Sequence, residues 1–337
     1  MNKVLKLVSE EELKSEFAQD VRQRYIEQRF LYVVPCGAKK YYQAHDIKPG
    51  QEVVENPATE YYYHFLINHI TKNEKIAFVS LGCGNSFAEK IALKKLSKEK
   101  YNVAYIGVDI AEPMLEMAEK NLEEIDIEKR FIQADILTDH FRDTIRETTS
   151  DCSKRIYAFF GGTIGNVNQT DIADTMYNIM LPEDLLWIDV RIRAEKTMES
   201  ELKFFNRYTE FLTNHQSKFI FNPLNQIGVP IESGSLNLRT ENEESVGALM
   251  FNFYFRFDTK VVVELNNSTV HFLPNEEVLL HTIRVYHPDT FAKFFNGHEL
   301  DLVALEVRDG RGQFLFRPKP VLNTGVELSS QESISVS

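Results

Sequence analysis

A strand, turn and helix pattern repeats along residues 76–192 and constrains the fold more than any other feature of the sequence. Five short apolar runs mark the strands: IAFVSLGCG, VAYIGVDI, RFIQADIL, RIYAFFGG and DLLWIDVRI. Apolar runs of this length, without polar alternation, are typical of strands buried on both faces of a parallel sheet. Helical stretches follow the first two runs, and another at about 170–181 separates the last two. The sequence therefore predicts an α/β fold, with a Rossmann-like sheet and helices on both faces.

The segment before the sheet has helical patterns. Ser9 and Glu12 form a capping box, and apolar residues recur after them at four-residue spacing, which predicts a helix over 9–30. The stretch ATEYYYHFLINHITK predicts a second helix at about 58–72.

The pattern changes after residue 193. A helical stretch leads into MFNFYFRFDTKVVVEL and STVHFLPNEEVLLHTIRVY, whose alternation of apolar and polar residues predicts antiparallel strands. The segment HPDTFAKFFN predicts another helix. Two further strands around a DGRG turn are then expected to complete the main sheet.

These changes of pattern divide the chain into two units and a tail. The main domain is predicted to combine residues 59–194 with 286–320. A smaller α+β lobe, which we expect to bind the substrate, combines residues 1–58 with 195–285. The Ser-rich residues 321–337 are predicted to be disordered.

Composition limits the partners. The formal net charge is −12, whereas a nucleic-acid surface needs clustered basic residues, so no nucleic-acid partner is predicted. Cys36, Cys83 and Cys152 are too few and too far apart for a disulfide framework or a structural zinc site. No apolar stretch is long enough for a signal peptide or a membrane span. We therefore predict a cytoplasmic protein with no metal and no membrane partner, and leave the oligomeric state open.

The predicted strand ends carry residues suited to a nucleotide. Gly82 and Gly84 stand where the first strand turns into a helix, so the backbone can approach a ligand closely. Asp109 ends the second strand, where it can accept hydrogen bonds from ribose hydroxyls, and Asp135 and Ile136 follow the third, where they can hold an adenine. Carboxyl ends of parallel strands meet at one edge, so these residues are predicted to converge. The alternative for both aspartates is a helix N-cap.

The residues of the turn after the first strand indicate which nucleotide binds. A dinucleotide fingerprint would place a third glycine at Phe87, which disfavours NAD. Instead, residues 76–192, with GVDIAEPML and ADIL, resemble class I S-adenosylmethionine-dependent methyltransferases, although Ser80 stands where many members carry an acid. The resemblance implies S-adenosylmethionine as cofactor, with contacts from Leu81, Gly82, Cys83, Gly84, Asp109, Ile110, Asp135, Ile136, Gly161, Gly162 and Thr163.

A second resemblance rests on the fourth strand, which ends in FFGGTIGNVNQTD. This segment is similar to that of the histidine-specific methyltransferases of ergothioneine biosynthesis and their fungal amine-methylating relatives. The resemblance implies that Asn166 contacts the carboxylate of the substrate, and that a second lobe encloses a small molecule. Considered without the family, Asn166 is either a polar group beside a flexible glycine pair or a helix cap.

The sequence differs from that family at residues that contact the substrate. Members that bind histidine carry a Glu and a Ser two residues apart, and aligned by eye these fall on Ile283 and Val285, in HTIRVYH. Neither side chain can bind an ammonium group. We therefore predict N-methylation of an amino acid or amine other than histidine, with Arg284 and Tyr286 as nearby candidates for recognition.

Methyl transfer from a sulfonium mainly requires an aligned acceptor and a dry site. We expect Asn166 and Tyr42 to contribute to catalysis, with Tyr41 and Tyr208 as further candidates from the second lobe. Two alternatives remain at this point: a protein that binds the cofactor without turnover, and an NAD-dependent oxidoreductase.

Overall fold

A computed structural model describes residues 4–44, 57–193, 195, 197–212 and 215–320 of the chain. The predicted tail 321–337 lies outside these residues. Within the helices that border the gaps, the side chains of residues 42–44, 57–61 and 215–216 are also outside the description.

The large sheet contains the five strands predicted from the apolar runs. Within the described ranges it has eight strands: β1 (Leu5–Lys6), β2 (Ile76–Leu81), β3 (Val103–Asp109), β4 (Glu128–Gln133), β5 (Lys154–Phe159), β6 (Leu185–Arg191), β12 (Leu300–Arg308) and β13 (Arg311–Pro318). Their order is β1-β4-β3-β2-β5-β6-β13-β12. Strands β1 to β6 pair in parallel, and the hairpin β12–β13 adds antiparallel strands beside β6. The predicted α/β sheet and its closing hairpin are confirmed.

Helices cover both faces of this sheet, as predicted. They are α4 (Pro57–Ile67), α5 (Phe87–Lys98), α6 (Glu112–Asn121), α7 (Asp139–Thr148), α8 (Gln169–Ile179) and α12 (Pro288–Gly297). Strand β2 shows how the faces are sorted: Ala77, Val79 and Leu81 pack with α7, α8 and α12, whereas Ile76 and Phe78 pack with α4, α5 and α6. Side chains alternate between the faces of a strand, so a fully apolar run supplies both cores.

The insertion after β6 forms a separate antiparallel sheet. Its strands are β7 (Gly234–Glu243), β8 (Ala248–Phe257) and β11 (Glu277–Tyr286), and a hairpin of β9 (Val261–Leu265) and β10 (Ser268–Phe272) adjoins them. The helices α9 (Met198–Thr209), α10 (His215–Ile220) and α11 (Asn222–Gln226) precede it. Alternate phenylalanines of β8, from Phe251 to Phe257, are fully buried in the core of this unit.

The N-terminal region contributes α1 (Glu10–Gln23), α2 (Phe30–Val33) and α3 (Gly37–Ala44). The predicted capping box of Ser9 and Glu12 is present. The prediction of one helix through residue 30 was wrong, because Arg24 adopts a left-handed conformation with φ 63°. The main chain then pairs with β11, where Ile26 N–H donates to the Leu279 carbonyl at 2.9 Å. Strand pairing thus overrides the helical spacing of the side chains.

Membrane insertion was tested on the described helices. None of them combines the length and the apolar character that crossing a bilayer requires.

Candidate active site

A cavity of about 460 Å³ lies at the carboxyl ends of the parallel strands, between the large sheet and the second lobe. Eleven predicted site residues line it: Gly82, Cys83, Gly84, Asp109, Ile110, Asp135, Ile136, Gly161, Gly162, Thr163 and Asn166. Leu81 does not, because its side chain is fully buried in the core beneath the sheet. The side chain of Tyr42 lies outside the described residues. The structure thus brings the predicted strand-end residues together around one space.

Two glycine turns form the floor of the cavity. Gly82 and Gly84 have φ of 65° and 52°, and Gly161 and Gly162 have φ of 68° and 90°, which is the left-handed region that favours glycine. A Cβ on Gly82 would stand 2.3 Å from Cγ2 of Thr163, so the first turn packs directly against the second. At Gly84, Gly161 and Gly162 an added Cβ would meet nothing within 4 Å. These positions therefore leave room for a ligand above the backbone.

Asp109 holds the first turn to the start of α6. Its carboxylate accepts hydrogen bonds from the N–H groups of Gly84 and Ala111, each at 2.9 Å. Burial raises the pKa of Asp109 to about 6. The N-cap of α6 is Ala111, so Asp109 is not the helix cap that the alternative proposed. The carboxylate lies at the cavity wall, with oxygen lone pairs left for further donors.

Asp135 is engaged by the N-terminal region. Its carboxylate pairs with Arg29 at 2.9 Å and also accepts the N–H of Leu137 at 2.9 Å. Arg29 has two further acidic partners, Glu27 at 2.8 Å and Glu16 at 3.2 Å. The cap of α7 is Thr138. Asp135 therefore ties the N-terminal segment to the end of β4, which is a role that strand-end spacing did not predict.

A buried acid near the first turn comes from a helix rather than a strand. Glu89, in the first turn of α5, accepts a hydrogen bond from the hydroxyl of Ser80 and also lines the cavity. Ser80 occupies the strand position where many class I methyltransferases carry an acid. The sequence did carry a signal, a glutamate nine positions later in the following helix, but only the packing of α5 on β2 brings the two side chains together.

Burial raises the pKa of Glu89 from 4.5 to about 7, so the folded protein retains a proton that the unfolded chain releases. Stability from this group is present at low pH and is lost as the pH rises to 7. We expect Glu89→Gln to remove that loss. Urea unfolding at pH 5 and pH 8 should show the stability of the variant, relative to the parent, increasing with pH by up to about 3 kcal/mol. Other buried acids, such as Asp109, are common to both proteins and cancel in the difference. Identical pH dependence in the two proteins would contradict the assignment.

Asn166 lies on the other side of the cavity, in a short 3-10 turn over Thr163–Asn166. Its side chain is close enough to the hydroxyl of Tyr32 to act on the pKa of that group. The adjacent helix α8 is capped by Asn168, which accepts from Thr170 N–H and Asp171 N–H. The alternative that Asn166 is a helix cap was therefore wrong, and its amide is left to face the cavity.

Three rings form a wall on this side, which we call the aromatic wall: Tyr32, Tyr41 and Phe219. Their centroids are 5.4 to 5.5 Å apart, and all three residues line the cavity. Burial raises the pKa of both tyrosines. Tyr41 was a candidate from the sequence and Tyr32 was not, whereas the candidate Tyr208 is fully buried and does not line the cavity.

Strand β11 supplies a further boundary, next to the turn that carries Asn166. Ile283 lines the cavity as expected, but Val285 is fully buried in the core of the second lobe. Val285 therefore does not face the cavity, whereas His281, two residues before Ile283, lines it. Tyr286 also lines the cavity, and its ring packs on Phe291.

Arg284 links the lobes. Its guanidinium pairs with Glu243 of β7 at 3.1 Å and donates to the carbonyl of Gly165, which also accepts from Gln28 at 3.2 Å. Two side chains of the second lobe and the N-terminal region thus hold the turn that carries Asn166.

Comparison with known families decides the class of this site. The model of the family described as "Histidine-specific methyltransferase, SAM-dependent" matches residues 59–314. The chain belongs to this family. This S-adenosylmethionine-dependent methyltransferase is accordingly an enzyme whose cofactor is S-adenosylmethionine rather than NAD, and the resemblance inferred from the sequence is confirmed.

Three of the solved structures that are similar to this methyltransferase are as follows. A S-adenosylmethionine-dependent methyltransferase from Clostridium acetobutylicum ATCC 824 is 12% identical, with 84% of this chain and 97% of that chain covered and a TM-score of 0.42. The DhpI–SAH complex is 8% identical, with 84% and 95% covered and a TM-score of 0.40. A SAM-dependent methyltransferase from Anabaena variabilis ATCC 29413 is 10% identical, with 84% and 95% covered and a TM-score of 0.39. No curated protein matches the chain.

Proposed function

We propose that this methyltransferase transfers a methyl group to the nitrogen of a small amine or amino acid other than histidine. The observation that carries the proposal is the aromatic wall, which stands beside Asn166 in the cavity. The faces of aromatic rings attract cations. An amine becomes a methylated ammonium ion during the reaction. The aromatic wall therefore favours a nitrogen acceptor over an acceptor whose methylated product is neutral.

An acceptor other than histidine is supported by β11. The resemblance places a glutamate near this strand in members that bind histidine. The β11 residues that line the cavity here are His281, Thr282, Ile283, Arg284 and Tyr286, none of which is acidic. The ammonium group of histidine would find no carboxylate on this strand, which supports an acceptor other than histidine.

We assign the cofactor to the side of the cavity with the glycine turns. The residues proposed to hold it are Gly82, Cys83, Gly84, Asp109, Ile110, Asp135, Ile136, Gly161, Gly162 and Thr163 from the sequence prediction, together with Glu89. The open space above Gly84, Gly161 and Gly162 suits a bound nucleoside, and the Asp109 carboxylate suits ribose hydroxyls. When bound, S-adenosylmethionine supplies an electrophilic methyl group, so the protein itself needs no covalent intermediate.

The remaining residues orient the acceptor. Asn166 offers an amide donor and acceptor at the cavity wall, beside the hydroxyl of Tyr32. Because burial raises the pKa of Tyr32 and Tyr41, both phenols keep their protons at neutral pH and do not act as bases. We therefore assign them to shaping the site and excluding water. Tyr42 stays a prediction.

The division into two lobes is also part of the proposal. Helices α1 and α2 share a buried core with the insertion sheet, including Phe17, Phe30 and Phe251. This common core supports a substrate lobe built from residues 1–58 and 195–285. A cavity between two such lobes suits a small molecule better than a macromolecule.

Turnover with a defined panel tests the function. Purified protein is incubated with S-adenosylmethionine and, separately, each proteinogenic amino acid and each amine formed from one by decarboxylation, and S-adenosylhomocysteine is measured. We expect product with at least one nitrogen acceptor and little with histidine. Efficient methylation of histidine alone would contradict the acceptor assignment. Tight cofactor binding without any product would instead support a binding protein without turnover.

A further inference from the structure

Arg191 is the last residue of β6 and lines the cavity beside the aromatic wall. Its Nη1 donates a hydrogen bond to the hydroxyl of Tyr208 at 2.8 Å, and the guanidinium stands 5.8 Å from the centroid of that ring. The charge of Arg191 is also close enough to Tyr41 to act on the pKa of its hydroxyl. The Tyr208 hydroxyl thus holds the Arg191 side chain in place, and the other N–H groups of the guanidinium remain available to a ligand.

The charge balance of the cavity distinguishes Arg191 from the other arginines that line it. Arg29 has three carboxylate partners, and Arg284 is paired with Glu243. Among the residues that the structure describes, no acidic side chain pairs with Arg191, which is half-buried. A partly desolvated guanidinium without a counter-ion is unfavourable in the absence of a ligand, and its planar fork matches a carboxylate.

We propose that Arg191 binds a carboxylate of the methyl acceptor, so that the acceptor is an amino acid rather than a simple amine. This inference rests on the proposed function and narrows its substrate class. The guanidinium then forms charge-assisted hydrogen bonds to the carboxylate, while Tyr208 fixes its orientation.

The position of Arg191 in the sheet favours the acceptor over the cofactor as the source of the carboxylate. The cofactor is assigned to the ends of β2 and β3, and the sheet order places β5 between β2 and β6. Neighbouring strands are about 4.8 Å apart, so the end of β6 lies roughly 10 Å along the sheet from the end of β2. The turn that carries Asn166 follows β5 and lies between them. Arg191 is therefore on the acceptor side of Asn166.

The test compares each amino acid with the amine that lacks only its carboxylate. Using the panel described above, we expect the parent protein to prefer the amino acid of the best pair by roughly 10- to 100-fold in kcat/KM, the range of one charge-assisted hydrogen bond. Arg191→Met should remove most of this preference by lowering turnover of the amino acid and not of the amine. Arg191→Lys keeps the charge but loses the planar guanidinium, so its preference for the amino acid should lie between that of the parent and that of Arg191→Met.

Arg191 could in principle bind either the carboxylate of the acceptor or that of the cofactor. The affinity for S-adenosylhomocysteine, measured by calorimetry, distinguishes the two. It should change by less than about threefold in Arg191→Met, and a larger loss would mean that Arg191 binds the carboxylate of the cofactor, which would overturn the inference. Equal turnover of acids and amines by the parent protein would also overturn it, while leaving the proposed function standing. If no member of either series is methylated although the cofactor binds, the proposed function fails and the inference fails with it.

Discussion

Asp109→Ala is expected to weaken binding of S-adenosylmethionine by at least about 100-fold, because a carboxylate that accepts two ribose hydroxyls contributes about 1.5–3 kcal/mol for each charged hydrogen bond. The same substitution releases the N–H groups of Gly84 and Ala111, so the glycine turn loses its attachment to α6. The loss of the ribose hydrogen bonds and the release of the glycine turn both affect the part of the cavity that is assigned to the cofactor. Isothermal titration of S-adenosylhomocysteine measures the change directly.

Asp184 provides a matched control for this variant. Asp184 is fully buried, and its carboxylate, like that of Asp109, accepts two backbone N–H groups, those of Arg155 and Leu181, each at 2.8 Å. It does not line the cavity. Asp184→Ala should lower the unfolding free energy without a selective loss of cofactor affinity. If the two variants lose affinity equally, or if Asp109→Ala retains full affinity, Asp109 is not a ribose ligand.

Asn166→Ala is expected to reduce kcat/KM for the best acceptor about 100-fold, which corresponds to about 3 kcal/mol of lost orientation in the transition state. Its affinity for S-adenosylhomocysteine should stay within about threefold of the parent, since the glycine turns and Asp109 are unchanged. Steady-state kinetics, combined with calorimetry on the same preparations, measure both quantities.

Asn168→Ala is the control two residues away. Asn168 caps α8 and lies outside the cavity lining, so its loss should lower stability by about 1 kcal/mol and leave kcat/KM unchanged. Equal loss of turnover in both variants would mean that Asn166 acts by supporting the turn. A large loss of cofactor affinity in Asn166→Ala would place the side chain on the cofactor instead.

Much of the fold could be predicted from the sequence because its sheet is buried on both faces. Runs such as IAFVSL and LLWIDV are apolar at every position, or nearly so, and few structures other than a central parallel strand bury such runs completely. Strand β7 gave no comparable signal. Its sequence, GSLNLRTENE, is half-exposed to exposed along its length, so pairing with β8 rather than burial of an apolar face makes it a strand.

Some residues of the candidate site could likewise be predicted from the sequence, and others could not. Residues at strand ends, such as Gly82 and Asp109, could be predicted because parallel topology alone brings strand ends together. Tyr32 and Arg29 could not, since they reach the cavity from the other lobe, and only tertiary packing decides which of their neighbours face it. Glu89 was missed for a related reason: a helix supplied the acid that the strand position lacks.

One guanidinium, that of Arg29, pairs with three carboxylates. These are Asp135, which follows β4, and Glu16 and Glu27 of the same N-terminal segment as the arginine. Because like charges in one cluster repel each other, each of these pairs is weaker than an isolated ion pair would be. We therefore expect the pairing of β1 with β4 to hold the N-terminal segment to the large sheet more firmly than the contact between Arg29 and Asp135 does.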